Sequence, residues 1–218
     1  MDSKRSWLRE PFCGISHMLG VGLSIAGLVA LLFVAHGRPW HVVAYSIYGA
    51  TLIALYTAST LYHSIQTHEH GIKRLQRLDY IGIFLLIAGT YTPVCLVALR
   101  GTLGWTMFGI EWGIAALGII ATFAWKGAPE WVRVVLYVLM GWLTVIALPA
   151  MRAVLPPAAL GWLIGGGISY TVGMIVYATD WPHLYPGKFS AHDLWHIFVI
   201  GGSACHFVMV LCFVSRLV

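Results

Sequence analysis

The sequence predicts an all-α fold: a polytopic membrane protein built as a bundle of seven transmembrane helices. Three observations predict it. The 218 residues are 59% hydrophobic and only 10% charged, whereas a soluble domain carries about a quarter charged residues. Seven apolar runs follow one another, each long enough to cross a ~30 Å hydrocarbon core at ~1.5 Å per residue. Together they consume nearly the whole chain and leave only short connections, so residues 1–218 read as one transmembrane domain.

The spans fall at 15–35, 41–65, 78–99, 103–125, 131–151, 159–179 and 191–214. Segment 1–14 is polar and basic. The run behind it is too long for a signal-peptide core and lacks a small-residue exit, so the first span is a retained helix. Span two ends on Ser59 and His63, and span three opens on Asp79. Pro93 and Pro149, late in spans three and five, are expected to kink their helices. Glu111 lies about eight residues into span four, where a carboxyl needs a proton, a partner or a polar cavity. In span six, Gly161 and Gly165 form a small-xxx-small pair expected to admit a close neighbour. Span seven is announced by Pro186 and Gly187 as loop punctuation, then by the capping pattern Ser190-Ala-His-Asp193. The four cysteines, Cys13, Cys95, Cys205 and Cys212, form no C-x-x-C pair. They read as small packing residues with no disulfide framework.

Orientation follows from the basic residues. Lys4, Arg5, Arg9, Lys73, Arg74, Arg77, Lys126, Arg133 and Lys188 fall on one side of the seven-span topology; Arg38, Arg100, Arg152 and Arg216 fall on the other. The positive-inside rule then places the N-terminus in the cytoplasm and the C-terminus outside, in the cell (inner) membrane. The net charge of +5 requires no nucleic-acid partner. Lys73, Arg74 and Arg77 are placed to meet anionic lipid headgroups. No internal repeat argues for an inverted-repeat transporter, and no protein partner is named by any motif.

Ionisable groups inside apolar spans are rare and mark sites with a purpose. His63, His192 and His196 fall at one level of this topology, near the cytoplasmic face, and Asp79 shares that level. His192 and His196 are four apart and share one helix face. Three imidazoles converging with an open fourth position suit Zn2+ as a catalytic ion. Their alternative is to be interfacial histidines reaching for headgroups. Asp79 is the candidate general base, or a group orienting a histidine; it also fits an N-cap of helix three. Ser59 shares a face with His63 and is a candidate to hold water or orient a ring. Otherwise its hydroxyl bonds back to its own helix. His17, at the level of the site, reads as structural or interfacial, and His206, roughly 15 Å deeper than His196, as a core residue. His68 and His70 read as solvated loop residues, and Asp193 as a helix cap.

Ser59-x-x-x-His63, Leu78-Asp79-Tyr80-x-Gly82, Gly89-Thr90-Tyr91-Thr92-Pro93 and His192-x-x-x-His196 resemble the bacterial hemolysin III-like branch of the progestin and adipoQ receptor family. So do Glu10-Pro11 with Ser16-His17, and the stretch from Trp195 to Phe207. The resemblance implies a seven-helix bundle with a cytoplasmic N-terminus. It implies a zinc ion on His63, His192 and His196, with Asp79 and Ser59 nearby. A distant relation to alkaline ceramidases suggests hydrolysis of a lipid amide or ester. Bacterial relatives are associated with membrane-fluidity and energy homeostasis, and with haemolysis. The chain lacks the long N-terminal region of the eukaryotic receptors, which argues against a protein hormone as ligand. Three functions compete: a zinc-dependent lipid hydrolase, a lipid sensor in which zinc is structural, and a pore-forming protein.

Overall fold

A computed structural model describes residues 8–125 and 127–217, so Lys4, Arg5 and Lys126 of the charge count lie outside the described residues. The chain forms α1 (Pro11–Val34), α2 (Pro39–Ser64), α3 (Glu69–Pro93), a π-helical turn (Val94–Ala98) and α4 (Thr102–Ala124). It continues as α5 (Glu130–Trp142), α6 (Thr144–Val154), α7 (Pro157–Thr179), α8 (Ala191–Cys212) and a final 3-10 turn (Val214–Arg216). Among the described residues no strand forms beyond one isolated bridge, Tyr185 to Phe189. Among the described residues seven helical stretches are long and apolar enough to cross a membrane, the fifth being α5 and α6 together. Proline opens α1, α2 and α7, where its missing N–H is no loss and its fixed φ starts the helix. Ser190 and Asp193 make the capping box expected at the start of α8.

The burial pattern is the reverse of a soluble protein's. Phe33 is 85% exposed, and Leu23, Leu117 and Ile146 also point outward. His63, His196 and Glu111 are buried. An exterior of this kind is stable in lipid, where helices satisfy their own backbone groups. Trp40 and Trp105 meet edge to face near the starts of α2 and α4, while Trp125, Trp131, Trp181 and Tyr185 stand exposed at the other end. Aromatic residues at both ends of the spans match the two membrane interfaces.

Three local expectations are corrected. Helix α3 begins at Glu69, not near residue 78, because Lys73, Arg74, Leu75 and Gln76 are good helix formers that extend the span beyond its apolar part. Lys73, Arg74 and Arg77 therefore ride on its first turns rather than in a loop, and Glu69 pairs with Lys73 at 2.6 Å. Asp79 is ten residues into this helix and His68 holds the cap position, so the N-cap role for Asp79 falls. Pro93 does disturb span three, through the π-helical turn behind it. The fifth span, however, breaks at Leu143 and not at Pro149. Tyr91 holds that break: its hydroxyl donates towards Met140 O at 2.8 Å and accepts from Thr144 N at 2.7 Å. Finally, the close approach in span six uses other glycines. A Cβ on Gly161 would meet nothing, while one on Gly166 would stand 2.6 Å from His206 and one on Gly173 2.6 Å from Phe198. Helix α7 turns that face, and not the Gly161 face, to α8.

Helix α2 packs between α1 and α3, α8 packs on α7, and α1 touches α8 to close the bundle. A cavity of about 680 Å³ opens inside it, with His17, Ser59, Asp79, His192 and His196 at one end and Leu99, Met107 and Leu163 at the other.

Candidate metal centre

Three helix ends converge at the foot of this cavity. The last turn of α2 delivers His63, and the first two turns of α8 deliver His192 and His196. The first turn of α1 adds Cys13. One donor atom from each of these four residues lies within 4.8 Å of all the others. The ring centroids stand 4.6 Å apart for His63 and His196, 5.1 Å for His63 and His192, and 5.0 Å for His192 and His196. His63 Nε2, His192 Nε2 and His196 Nδ1 are all buried without a hydrogen-bond partner. Orphaned buried nitrogens are unfavourable by about 1–3 kcal/mol each; a shared cation satisfies all of them. The residues present therefore fit a metal ion on chemistry as well as on spacing.

His63 is oriented from behind. Its Nδ1–H donates to Glu10 Oε2 at 2.5 Å, leaving Nε2 free, the arrangement by which a carboxylate fixes the tautomer of a metal-binding histidine. The backbone N–H of Glu10 donates to His63 O at 2.8 Å, so the segment before α1 is strapped to the end of α2. Arg9 stands 3.3 Å from Glu10 Oε1 and lies over the Tyr62 ring at 4.1 Å. The hydrogen bond to His63 holds the Glu10 carboxyl below its ordinary 4.5. A depressed carboxyl stabilises the fold above its unfolded value, and that contribution is lost as pH falls below about 4.5 through the lowered one. Glu10→Gln is expected to weaken metal affinity roughly 10–100-fold by loosening His63. It should also flatten the acid side of the stability profile. Competition with a chelator measures the first effect, and unaltered affinity would remove Glu10 from the site.

Ser59 and Asp79 line the cavity together beside His192 and His196, and the Asp79 carboxyl is within electrostatic reach of His63. The four residues His63, His192, His196 and Asp79 are thus brought to one place, with Ser59 lining the same space. His17 lies against His196, ring centroids 3.9 Å apart, without joining the donor group. His206 lines the cavity farther in, stacked on Tyr170 at 5.6 Å. His68 and His70 are exposed. Glu111 is 0% exposed, has no partner on either oxygen, and is not part of this centre.

Two residues of the centre escape reasoning from apolar spans and histidines: Glu10 and Cys13. The spacing of Cys13 and His17, four apart on one helix face, is the signal that places the thiol at the level of the histidines. Asp193 divides its oxygens, Oδ2 capping α8 through Ser190 and Oδ1 accepting the Cys13 S–H at 3.1 Å. A second, more polar pocket of about 670 Å³ lies on the other side of the centre, lined by Arg9, Glu10, Cys13, His63, Lys188 and His192 among others. His192 borders both spaces.

Comparison with known proteins agrees with this architecture. The profile of the family described as haemolysin-III related matches residues 5–207. The chain is 41% identical over 199 residues to the "Hemolysin-3 homolog" of Bacillus subtilis, covering 90% of each chain. It is 41% identical over 202 residues to "Hemolysin-3" of Bacillus cereus, covering 92% of this chain and 89% of that one. It is also 26% identical over 191 residues to the human "Monocyte to macrophage differentiation factor", covering 86% of this chain and 77% of that one.

Proposed function

Since the chain belongs to the haemolysin-III related family of membrane proteins, we propose that it binds zinc at the cytoplasmic level of the cell membrane and hydrolyses an amide or ester bond of a membrane lipid. One observation carries this reading. Three buried imidazole nitrogens without partners belong to one donor group, of which His192 and His196 line a large apolar cavity beside an aspartate outside the group, and His63 lines the polar pocket.

Imidazole donors with a thiol beside them favour zinc among the common ions. A zinc ion there supplies Lewis acidity, polarising a carbonyl and bringing the pKa of a water towards ~7. The chain does the rest. Asp79 accepts the proton of the attacking water and returns it to the leaving amine or alcohol. Ser59, in the same lining, offers its hydroxyl to the Asp79 carboxyl. Glu10 keeps His63 in the tautomer that leaves Nε2 available. The cavity, within the ~300–1,000 Å³ usual for ligand sites, accepts an acyl chain and excludes water. The polar pocket beside His192 receives the hydrophilic part of the lipid, and Lys73, Arg74 and Arg77 hold anionic headgroups at the same face. Release of fatty acid at this level changes bilayer composition, which links the site to membrane-fluidity homeostasis.

The test uses purified protein in phospholipid vesicles containing an N-acyl lipid such as a ceramide, or a lipid ester. Fatty acid is expected to appear with zinc-loaded protein, to stop on chelation and to resume on adding zinc back. Protein that holds zinc yet releases no fatty acid from any amide or ester lipid would leave the ion a structural one, in a sensor rather than an enzyme.

A further inference from the structure

We infer that Cys13 is a latch on this metal centre: its sulfur is placed to take the fourth coordination position and to contest it with water. The inference rests on the zinc reading above and adds a regulatory step to it. A lone cysteine carries nothing, but Cys13 is not alone. Its sulfur is grouped with donors of His63, His192 and His196, all within 4.8 Å of one another. Each of the three rings has a buried nitrogen with no other partner. Four donors at ~2.0–2.3 Å around a tetrahedral ion stand about 3.5 Å apart, so only side-chain adjustments separate this grouping from a closed shell.

The thiol also has somewhere to send its proton. Thiolate, not thiol, binds metal, and Cys13 Sγ already donates to Asp193 Oδ1 at 3.1 Å. In closing, the S–H bond breaks, its proton passes to Asp193 Oδ1, the S–metal bond forms and one water leaves. Opening reverses each change: water enters, sulfur leaves and regains the proton. The other Asp193 oxygen stays on Ser190 throughout, so α8 keeps its cap.

A closed set of four protein ligands is the mark of a structural zinc; a catalytic one keeps a position for water. With sulfur on, the centre ties α1, α2 and α8 together and has no room for a water. With sulfur off, the position opens beside Asp79. The element that moves is the start of α1, which the Arg9–Glu10 strap ties to α2, with Glu10 N on His63 O at 2.8 Å. At Gly14, a Cβ would stand 2.4 Å from Ser64 Oγ, so this end of α1 sits against α2 without side-chain bulk between them. The latch accounts for one donor group serving either of the readings that compete for this family member, sensor or enzyme.

Cobalt(II) reports the sulfur directly. Wild-type protein stripped and reloaded with one equivalent of Co2+ is expected to show a near-ultraviolet sulfur-to-cobalt charge-transfer band. Cys13→Ser is expected to lose that band while keeping the metal. A Cys95→Ala/Cys205→Ala/Cys212→Ala protein, which keeps Cys13 alone, is expected to retain it, and this second variant guards against a misfolded first. Cobalt that binds wild type with visible bands of nitrogen and oxygen ligands but no sulfur band overturns the latch and leaves the histidine site standing. A stripped wild type that binds no cobalt at all overturns both.

Discussion

Replacing His196 by alanine is expected to abolish metal binding, with zinc falling from about one ion per chain to near none. The side chain is 2% exposed and packed against the His17 ring, and its Nδ1 has no hydrogen-bond partner within the protein. Without it the donor group is reduced to Cys13, His63 and His192, one of which is only half-buried. The stability signature separates this from simple unfolding. A ligand that binds only the folded state at about 100 times its Kd adds about 2.7 kcal/mol. Added zinc should therefore raise the melting temperature of stripped wild type and leave that of His196→Ala unchanged, while the two stripped proteins melt close together. His206→Ala is the control. That ring shares the same helix and the same cavity but stacks on Tyr170 away from the donors, so its zinc content should match wild type. Equal zinc in His196→Ala and wild type would remove this residue from the centre.

Much of this architecture was written in the pattern of residue types. Seven spans follow from hydropathy because lipid imposes length and composition on every crossing helix. The common depth of His63, His192 and His196 follows from counting turns; that their donor atoms gather within 4.8 Å is shown by the structure. What escaped was of a different kind. Hydropathy locates the apolar part of a helix and not its ends, which is why α3 starts nine residues earlier than its apolar run. Small-residue spacing marks faces that are able to pack and does not choose among them, so Gly166 and Gly173 were hidden by Gly161 and Gly165. The break at Leu143 depends on the Tyr91 hydroxyl from another helix, a tertiary partner that no local signal reveals. Cys13 and Glu10 reach the site because the start of α1 is strapped to the end of α2, and depth alone does not say which helices touch. The adjacency of α1 and α8 is the fact that only three dimensions supply.

Asp79→Asn should separate chemistry from binding. The carboxamide keeps the shape of the side chain and still offers an oxygen to the Ser59 hydroxyl in the same lining. What it loses is the capacity to take a proton from water. General-base catalysis contributes about 10²–10⁴ in rate, equivalent to about 3–5 kcal/mol of barrier, and fatty-acid release is expected to fall by that factor. Zinc content should stay at the wild-type level, because Asp79 is not in the donor group. KM should change little, since the acyl chain is held by the apolar end of the cavity around Leu99, Met107 and Leu163. The ligand variants lose metal and turnover together; this one is expected to lose turnover alone. An Asp79→Asn protein with full zinc and undiminished release would show that the proton goes elsewhere, with Glu10 and Asp193 the carboxylates bonded to residues of the centre. A variant that lost its zinc would instead make Asp79 part of the metal's support. Measuring zinc and initial rate on the same preparation tells these outcomes apart.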